Sequence, residues 1–163
     1  MLLRSNAEGA VWVESRGEVL NQFLVEVFGQ ILKAEAACLA GKDLSLRELH
    51  LIDAVCRAVD QGGDNRSTAI AAALGITAGT LTSAVNLLEK KGYLLRRRDE
   101  RDKRVVHLLP TERGRAADAR HRDFHRQMVA HVLDGLTDEE AECTLRALGR
   151  VAEFFRRGAL ERG

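Results

Sequence analysis

The sequence predicts a mainly α-helical fold that carries a small β-hairpin of two or three strands. The 163-residue chain contains one proline and 4% aromatic residues, a composition that favours helices over an all-β architecture. Apolar residues recur at helical spacing through most of the chain. Residues 93–109 break this spacing with two short apolar runs around a charged stretch, which is typical of a hairpin.

A long first helix is predicted over residues 14–38. A helix of this length exceeds what a small core can cover, so we expect a second subunit to share it, although a core helix of one chain gives the same pattern. Phe23 and Phe28 widen its apolar stripe beyond a narrow seam. The stripe advances by four and three residues in alternation, through Leu20, Leu24, Val27, Ile31, Ala34 and Cys38.

A second helix is predicted to begin after Ser45, which has the spacing of a capping box with Glu48. Its apolar spacing continues to about Val59. Residues 61–65 read Gln-Gly-Gly-Asp-Asn, a composition typical of a loop.

A helix-turn-helix motif follows this loop. We expect a short helix over residues 69–74, capped by Thr68 and ended by Gly75. Thr77 is expected to cap a second helix over residues 78–91. The side chains away from the apolar face of this second helix are short and polar, which suits hydrogen bonding to base edges and phosphates in a major groove.

A charged hairpin is predicted next, with strands over residues 93–96 and 105–109. The net charge of the whole chain is only +1, yet residues 89–104 hold eight basic and four acidic side chains. Such a local basic patch, and not the overall charge, attracts phosphate. These elements together predict a winged helix-turn-helix fold that binds double-stranded DNA.

Two further helices are predicted to complete the chain. Thr111 is the expected cap of the fifth helix, which Asp134 and Gly135 should end. Thr137 and Glu140 have the spacing of a second capping box before the sixth helix. The predicted organisation is one intertwined domain, with an N-terminal dimerisation helix (1–44), a winged helix-turn-helix lobe (45–110) and C-terminal dimerisation helices (111–163).

The order of these elements resembles the MarR family of bacterial regulators. Pro110 departs from the family pattern, where many members have an apolar residue, but a missing N–H matters little at a strand end. The motifs that carry the resemblance are Leu74-Gly-Ile-Thr-Ala-Gly-Thr-Leu-Thr82, Leu88-Glu-Lys-Lys-Gly-Tyr93, Arg96, Asp102-Lys-Arg104 and Leu109-Pro-Thr-Glu-Arg-Gly114.

The resemblance implies a set of DNA-contacting residues. One wing arginine would enter a minor groove beside the recognition helix, Asp102 would brace Arg104, and Arg96 would support the base of the strand. An ordinary solvated helix face and hairpin is the alternative interpretation. The implied residues are Thr68, Thr77, Gly79, Thr80, Thr82, Ser83 and Asn86 on the helices and Arg96, Arg98, Arg101, Asp102, Lys103 and Arg104 on the hairpin.

Within this family, the sequence is more similar to regulators of fatty-acid synthesis genes. The similarity lies in residues 46–53, 104–108, 121–128 and 133–140. It implies a long acyl chain, carried on acyl carrier protein, as corepressor, or another small-molecule effector. The ligand pocket implied for it is lined by His50, His121, Phe124, His125 and Met128.

Three histidines offer a second interpretation of the same region. His121 and His125 are four residues apart and meet on one helix face. With His50 they correspond in position to ligands of zinc-sensing MarR regulators of metal uptake, and zinc would need a fourth donor, for which Glu35 and Cys38 are candidates. A zinc site, the polar lining of an organic-ligand pocket and structural histidines remain open.

Other functional classes find little support in the sequence. Hydrolase, nucleotide-binding and metalloprotease motifs are missing, so we expect no enzyme, and the sequence makes no cofactor certain beyond the acyl corepressor and zinc already considered. A winged-helix protein-interaction module without DNA binding stays as an alternative, although the charged wing speaks against it. Three widely spaced cysteines indicate reduced thiols. With no apolar run of membrane length and no leader pattern, we expect no membrane partner and a place in the bacterial cytoplasm, at the nucleoid.

The expected mechanism depends on a homodimer. The first, fifth and sixth helices of two subunits would build a core that sets the spacing of two recognition helices. The operator should then be nearly palindromic, with half-sites about one helical turn apart. A ligand can regulate such a protein only if it binds one spacing better than the other.

Overall fold

The computed structural model describes the backbone of residues 5–39 and 43–160 and the side chains of residues 16–39 and 43–157. This part of the chain is mainly helical with one two-stranded antiparallel sheet, which confirms the predicted fold class. In chain order the elements are α1 (Ser5–Cys38), α2 (Leu46–Asp60), α3 (Ser67–Ala73), α4 (Ala78–Lys90), β1 (Leu94–Arg98), β2 (Val106–Pro110), α5 (Glu112–Asp134) and α6 (Asp138–Leu160).

The chain divides into two compact units, residues 1–121 and 122–163, with the division inside α5. The first unit contains the helix-turn-helix, the hairpin and α1, and the second contains the end of α5 and α6. Among the described residues, no single helix is both long and apolar enough to cross a membrane.

Capping side chains begin the helices where the sequence predicts. The Oγ of Ser45 accepts from the main-chain N–H of Glu48 at 3.3 Å, and the Glu48 carboxylate accepts from the N–H of Ser45 at 2.7 Å. Thr137 and Glu140 form the same reciprocal pair at the start of α6, and Thr77 caps α4. These three starts are confirmed because each is set by hydrogen bonds between residues three positions apart.

Two glycines end the helices of the helix-turn-helix. Gly75 follows α3 with a φ of +63°, and Gly92 follows α4 with a φ of +77°. This left-handed conformation lets the next residue bond back to the helix, as when the N–H of Tyr93 donates to the carbonyl of Leu88 at 2.9 Å. Both predicted helix ends are therefore confirmed to within a residue or two.

Two helix starts differ from the sequence prediction. Helix α1 begins at Ser5, well before the predicted start at residue 14, because the prediction followed an apolar stripe that starts only at Leu20. Helix α3 begins at Ser67 without a side-chain cap, so the prediction that Thr68 caps it was wrong. Arg66 occupies the N-cap position, so Thr68 lies within the first turn, and the hydroxyl of Ser67 donates to the carbonyl of Val106 in β2 at 2.9 Å.

The hairpin strands are shifted by one to two residues from their predicted positions. Leu94 pairs with Pro110 and Arg98 pairs with Val106, which places two predicted turn arginines inside β1. Tyr93 is excluded from the strand because its N–H belongs to the end of α4. Pro110 occupies the end of β2, as expected. A single bridge between Arg66 and His107 adds the loop before α3 to the sheet edge.

A closed apolar core lies in residues 43–121, which we call the winged lobe. Helices α2, α3 and α4, the hairpin and the first half of α5 contribute to it, and several side chains are completely excluded from solvent. Its main members are Leu49, Leu51, Ile52, Val55, Cys56, Ile70, Ala71, Leu81, Val85, Leu88, Tyr93, Leu94, Leu108 and Ala117.

Polar bonds tie α4 to α2 at the rim of this core. The ammonium of Lys91 donates to the carboxylate of Glu48 at 2.7 Å in a largely buried ion pair. Burial acts to raise the pKa of Glu48, but the hydrogen bonds from Lys91 and Ser45 outweigh it and lower the pKa below 4.5. The hydroxyl of Tyr93 donates to Asp43 at 2.7 Å and lowers the pKa of that carboxyl.

Helices α1 and α6 differ from the lobe because they expose large apolar side chains. On α1, Phe23 is 56% exposed and Val19 is 68% exposed. On α6, Phe154 is 70% exposed and Leu145 is 62% exposed. Further exposed apolar side chains are Leu20, Val25, Phe28 and Leu32 on α1, and Leu148 and Phe155 on α6.

Candidate nucleic-acid interface

Helix α4 has one buried apolar face and one exposed polar face. Leu81, Val85 and Leu88 anchor it in the core of the lobe. The structure brings the predicted base-contacting residues together on the opposite side, and all of them are exposed: Thr77, Gly79, Thr80, Thr82, Ser83 and Asn86. Thr68 lies exposed on α3.

Some hydroxyl groups on this face already serve the helix. The Oγ1 atoms of Thr77 and Thr80 are 2.9 Å apart, and Thr77 also caps α4. The hydroxyl of Thr82 donates to the carbonyl of Ala78 at 2.8 Å. With its proton used inside the helix, Thr82 offers an acceptor lone pair to an approaching ligand.

Arg96 connects the base of the hairpin to α4, as predicted for a residue that supports the strand. Its guanidinium donates to the Asn86 Oδ1 atom at 2.7 Å and to the carbonyl of Thr82 at 3.1 Å. It also forms an ion pair with the Glu89 carboxylate, which accepts in addition from the main-chain N–H of Arg96 at 2.9 Å. The position of β1 against α4 is therefore held by charge-assisted hydrogen bonds.

The turn of the hairpin is ordered by two aspartates. The Asp99 carboxylate accepts from the main-chain N–H groups of Arg101 and Asp102, and these bonds hold its pKa below the usual value. Asp102 accepts from the main-chain N–H of Arg104 at 3.0 Å. The predicted pairing of Asp102 with Arg104 is thus made by the main-chain N–H of Arg104, and the guanidinium of Arg104 takes no part in it.

Four cationic side chains project from this ordered hairpin. Arg98, Arg101, Lys103 and Arg104 are all exposed, and none of them forms an ion pair with another residue in 16–39 or 43–157. Their positive charge is available to an anionic ligand without breaking an internal pair. This availability fits the phosphate-binding role that the sequence predicts for the wing.

His107, which the sequence does not mark as a functional residue, connects the wing to the loop before α3. The Nδ1 of His107 lies 2.7 Å from Asn65 Oδ1, and its Nε2 lies 3.4 Å from the Asp99 carboxylate. Asn65 also donates to the carbonyl of Leu108 at 2.9 Å. His107 and Asn65 are 42 residues apart, so no local pattern indicates their contact.

Two of the predicted pocket histidines meet around a buried glutamate. The Glu35 carboxylate lies 3.1 Å from the Nε2 of His121 and 3.7 Å from the Nε2 of His50, and the two rings are 5.5 Å apart. Glu35 and His121 are buried, whereas the His50 side chain is 43% exposed. The predicted proximity of His50 and His121 is therefore present in the first unit.

The other predicted pocket residues belong to the second unit. Phe124, His125 and Met128 are half-buried on α5, with the rings of Phe124 and His125 5.3 Å apart. In the first unit, a small cavity lies beside His121. Its lining combines apolar and polar side chains from α1, α2 and α5: Cys38, Leu39, Leu49, Ala117, Arg120 and His121.

A buried acid and thiol lie at the α2–α5 contact inside the lobe. Burial, with the negative charge and hydrogen bond of Asp118, raises the pKa of Cys56 to about 12. Both side chains are completely excluded from solvent. Cys56 is thus a neutral thiol at physiological pH and a poor nucleophile.

Comparisons with known proteins agree with this geometry. The MarR family model matches residues 55–106, from α2 to β2. Two HTH-type transcriptional regulators of Bacillus subtilis, YwhA and YcgE, are each 31% identical to this chain, over 72 and 85 residues. The matches cover 44% and 50% of this chain and 52% and 53% of those proteins, about half the length of each relative.

Solved structures extend the similarity over most of the chain. Streptococcus pneumoniae FabT in complex with DNA superposes with a TM-score of 0.78 and 34% identity, covering 86% of this chain and 97% of FabT. A MarR family protein from Bacillus stearothermophilus superposes with a TM-score of 0.69 at 20% identity, covering 88% and 97%, which shows the shared fold. The family match and the relatives named as transcriptional regulators agree with the expectation of a DNA-binding regulator. The chain, with its helix-turn-helix and charged wing, belongs to the MarR family.

Proposed function

We propose that this MarR-family chain is a repressor that binds a near-palindromic DNA operator as a homodimer and responds to a ligand. The observation that carries the proposal is the juxtaposition, within one lobe with a buried apolar core, of an exposed polar helix face and exposed wing cations. Arg96 attaches the strand that leads into the wing to α4, and His107 attaches the wing to the loop before α3. The two DNA-contacting elements therefore have a defined relative position.

The geometry suits a division of labour on DNA. The first turns of α4 present hydroxyls and an amide to base edges in a major groove, while the wing cations contact phosphates or an adjacent minor groove. Phosphate contacts give affinity that falls steeply with salt, and base contacts give sequence preference. Similarity to FabT, whose solved structure contains DNA, supports this mode of binding.

Selection from a randomised duplex pool, followed by fluorescence anisotropy at several salt concentrations, tests DNA binding. We expect enrichment of one near-palindromic sequence, with half-sites about one helical turn apart. Failure to enrich any sequence would contradict the proposal and favour a winged-helix protein-interaction module. A reporter gene behind the selected operator tests the sign of regulation, and a repressor lowers its expression.

Removal of single wing cations tests the assignment of the wing. Arg101→Ala and Arg104→Ala should each weaken operator binding about tenfold, and a lost phosphate contact should reduce the salt slope by about one. Arg146→Ala on α6 removes an exposed cation outside the proposed surface and serves as the matched control. Thermal unfolding checks that all three variants keep the fold. Unchanged affinity in both wing variants would contradict the assignment.

The exposed apolar faces of α1 and α6 support the homodimer. Each of these helices exposes several large apolar side chains, a feature that marks interaction sites, and a second copy is the partner that the proposed near-palindromic operator requires. Light scattering after size-exclusion chromatography should give twice the chain mass of 18.0 kDa. A stable 18.0 kDa species in the presence of operator would exclude the dimer.

A long acyl chain on acyl carrier protein is the effector that we propose. Its support is the sequence similarity to fatty-acid synthesis regulators together with the 34% identity to FabT over 97% of that chain. We expect acyl carrier protein loaded with a long acyl chain to strengthen operator binding, whereas the unloaded carrier should have no effect. Equal effects of the loaded and the unloaded carrier would exclude the acyl chain as the effector.

Zinc sensing is a second candidate, favoured by the position of Glu35 between His50 and His121. Carboxylate oxygen and imidazole nitrogen are zinc donors, and Cys38, which lines the same cavity as His121, offers sulfur. Titration with Zn²⁺ against a chromophoric chelator separates the candidates. The zinc site would be supported if His121→Ala abolishes zinc uptake and His131→Ala, on the exposed surface of α5, retains it. Uptake that is equal in both variants would exclude this site.

A further inference from the structure

The contact between Arg96 and Asn86 determines which end of the Asn86 amide faces outward. Arg96 reaches along one face of α4, where Thr82, Asn86 and Glu89 succeed one another at intervals of four and three residues. All three supply an oxygen acceptor to its guanidinium, and the Asn86 Oδ1 is the nearer of the two neutral acceptors, at 2.7 Å. Asn86 is exposed, so the rest of its amide faces the side proposed to meet DNA.

The chemistry of arginine excludes the opposite amide orientation. A guanidinium only donates hydrogen bonds and keeps its charge in proteins, so the amide atom beside it has to be the oxygen. The Asn86 Nδ2 group, with its two N–H donors, then points away from Arg96. Asn86 therefore presents its Nδ2 donors outward, while its oxygen lies beside the Arg96 guanidinium.

This orientation conflicts with the usual use of asparagine in the major groove. An asparagine that recognises adenine uses its oxygen to accept from N6 and its nitrogen to donate to N7. Arg96 occupies one lone pair of the Asn86 oxygen, and its guanidinium, which Glu89 holds in place, stands beside that oxygen. A donor such as adenine N6 would therefore have to approach the oxygen next to a cation. Guanine suits this arrangement better, because N7 and O6 are both acceptors on its major-groove edge.

We propose that Arg96 is a positioning residue that turns the Nδ2 donors of Asn86 toward DNA and places a positive charge beside its oxygen, so that Asn86 selects guanine at its position in each operator half-site. The inference rests on the proposed DNA-binding function. It assigns Arg96 a role in base specificity in addition to its role at the base of the strand. Adenine is disfavoured at this position because its N6 amino group, a donor, would face the N–H groups of Asn86.

Operator selection with the full chain and three variants tests the proposal. Asn86→Ala should lose base preference at one position in each half-site and weaken binding to the wild-type operator about fivefold or more. Arg96→Ala should release the Asn86 oxygen, so that adenine becomes enriched beside guanine at that same position. Arg97→Ala removes the same charge from the next residue of β1, whose side chain points to the other face of the strand, and should keep the guanine preference.

A measurement on the wild-type protein keeps the test valid if Arg96→Ala fails to fold. The guanine at the Asn86-dependent position is replaced by 7-deazaguanine, which lacks N7 but still pairs with cytosine, or by inosine, which keeps O6 and N7. We expect 7-deazaguanine to weaken binding about fivefold and inosine to leave it unchanged.

The outcomes separate this inference from the proposed function. An A·T pair, in either orientation, at the Asn86-dependent position overturns the inference, as does an unaltered preference in a folded Arg96→Ala variant. A purely salt-linked loss in Asn86→Ala would place Asn86 on phosphate and also overturn it. Failure of the wild-type protein to enrich any duplex contradicts the proposed function itself.

Discussion

The winged lobe and the helices α1 and α6 differ in how far they bury their apolar side chains. In the lobe, Ile52 and Leu88 are completely excluded from solvent by contacts within the chain, whereas Phe23 on α1 and Phe155 on α6 remain 56% and 61% exposed. Polar side chains at the edge of the lobe also pair with one another, as Lys91 and Glu48 do. The chain therefore carries a lobe that buries its own apolar side chains and long helices with exposed apolar side chains, for which we propose a second copy as the partner.

The largest expected effect comes from placing a charge on the apolar face of α1. Phe23→Asp should weaken the dimer by roughly 100-fold or more, because a buried phenyl group contributes about 2 kcal/mol and twofold symmetry places the change in both copies. Analytical ultracentrifugation measures the dissociation constant. Gln22→Asp adds the same charge at an exposed polar neighbour and should leave the dimer intact. An unchanged dimer in Phe23→Asp would mean that this face has another occupant.

Truncation inside the lobe should affect folding stability instead of association. Leu88→Ala removes a completely buried side chain and should lower the free energy of unfolding by about 3 kcal/mol. Leu87, the next residue of α4, is 45% exposed, and Leu87→Ala should cost less than about 1 kcal/mol. Urea denaturation at a fixed protein concentration measures both. Equal losses would contradict the packing of α4 described above.

The buried and exposed ion pairs sharpen the same contrast. Glu48→Gln should cost about 1–2 kcal/mol at pH 7, because it weakens a largely buried, charge-assisted bond to Lys91. Since folding lowers the pKa of Glu48 below 4.5, this stability is present above pH 4.5 and is lost as the pH falls through the folded-state pKa. Urea denaturation between pH 3 and pH 7 should show the wild type approaching the variant in acid.

An exposed pair on α6 supplies the control for this measurement. Glu142→Gln disrupts a contact with Arg146 in which both side chains are more than 60% exposed, and it should cost less than about 0.5 kcal/mol at any pH. A loss as large as that of Glu48→Gln would show that burial does not distinguish the two regions.

The smallest expected effect concerns the wing, which depends on polar contacts more than on the core. His107→Ala removes the link between Asn65 and Asp99 and should weaken operator binding about threefold, with little change in unfolding free energy. Faster amide exchange in the wing, measured with His131→Ala as the control, would accompany it. A large loss of global stability would place His107 in the cooperative core instead.

Much of the fold followed from local sequence patterns. The starts of α2 and α6 were predicted because Ser45 and Thr137 bond to residues three positions later. The ends of α3 and α4 were predicted because Gly75 and Gly92 tolerate the left-handed conformation. The exposed polar face of α4 followed from the positions of its apolar residues. In each case the deciding interaction lies within one helical turn.

Other features depended on contacts that no local pattern contains. The predicted cap at Thr68 failed because α3 begins one residue earlier, at Ser67, whose hydroxyl donates to a carbonyl of β2 far along the chain. His107 was missed as a wing brace because its partner Asn65 lies 42 residues earlier, inside what reads as an ordinary loop. Burial of Asp118 against Cys56 was missed because nothing near either residue marks the contact.

The sequence by itself determined the order of the helices, the turn glycines, the polar face of α4 and the concentration of positive charge in the hairpin. These properties depend on side-chain periodicity and on hydrogen bonds between near neighbours. Only the tertiary structure decided the strand register, the brace behind the wing and the orientation of the Asn86 amide. Each of these depends on the position of a hydrogen-bond donor or acceptor that is distant in sequence, and that position is fixed only when the chain packs.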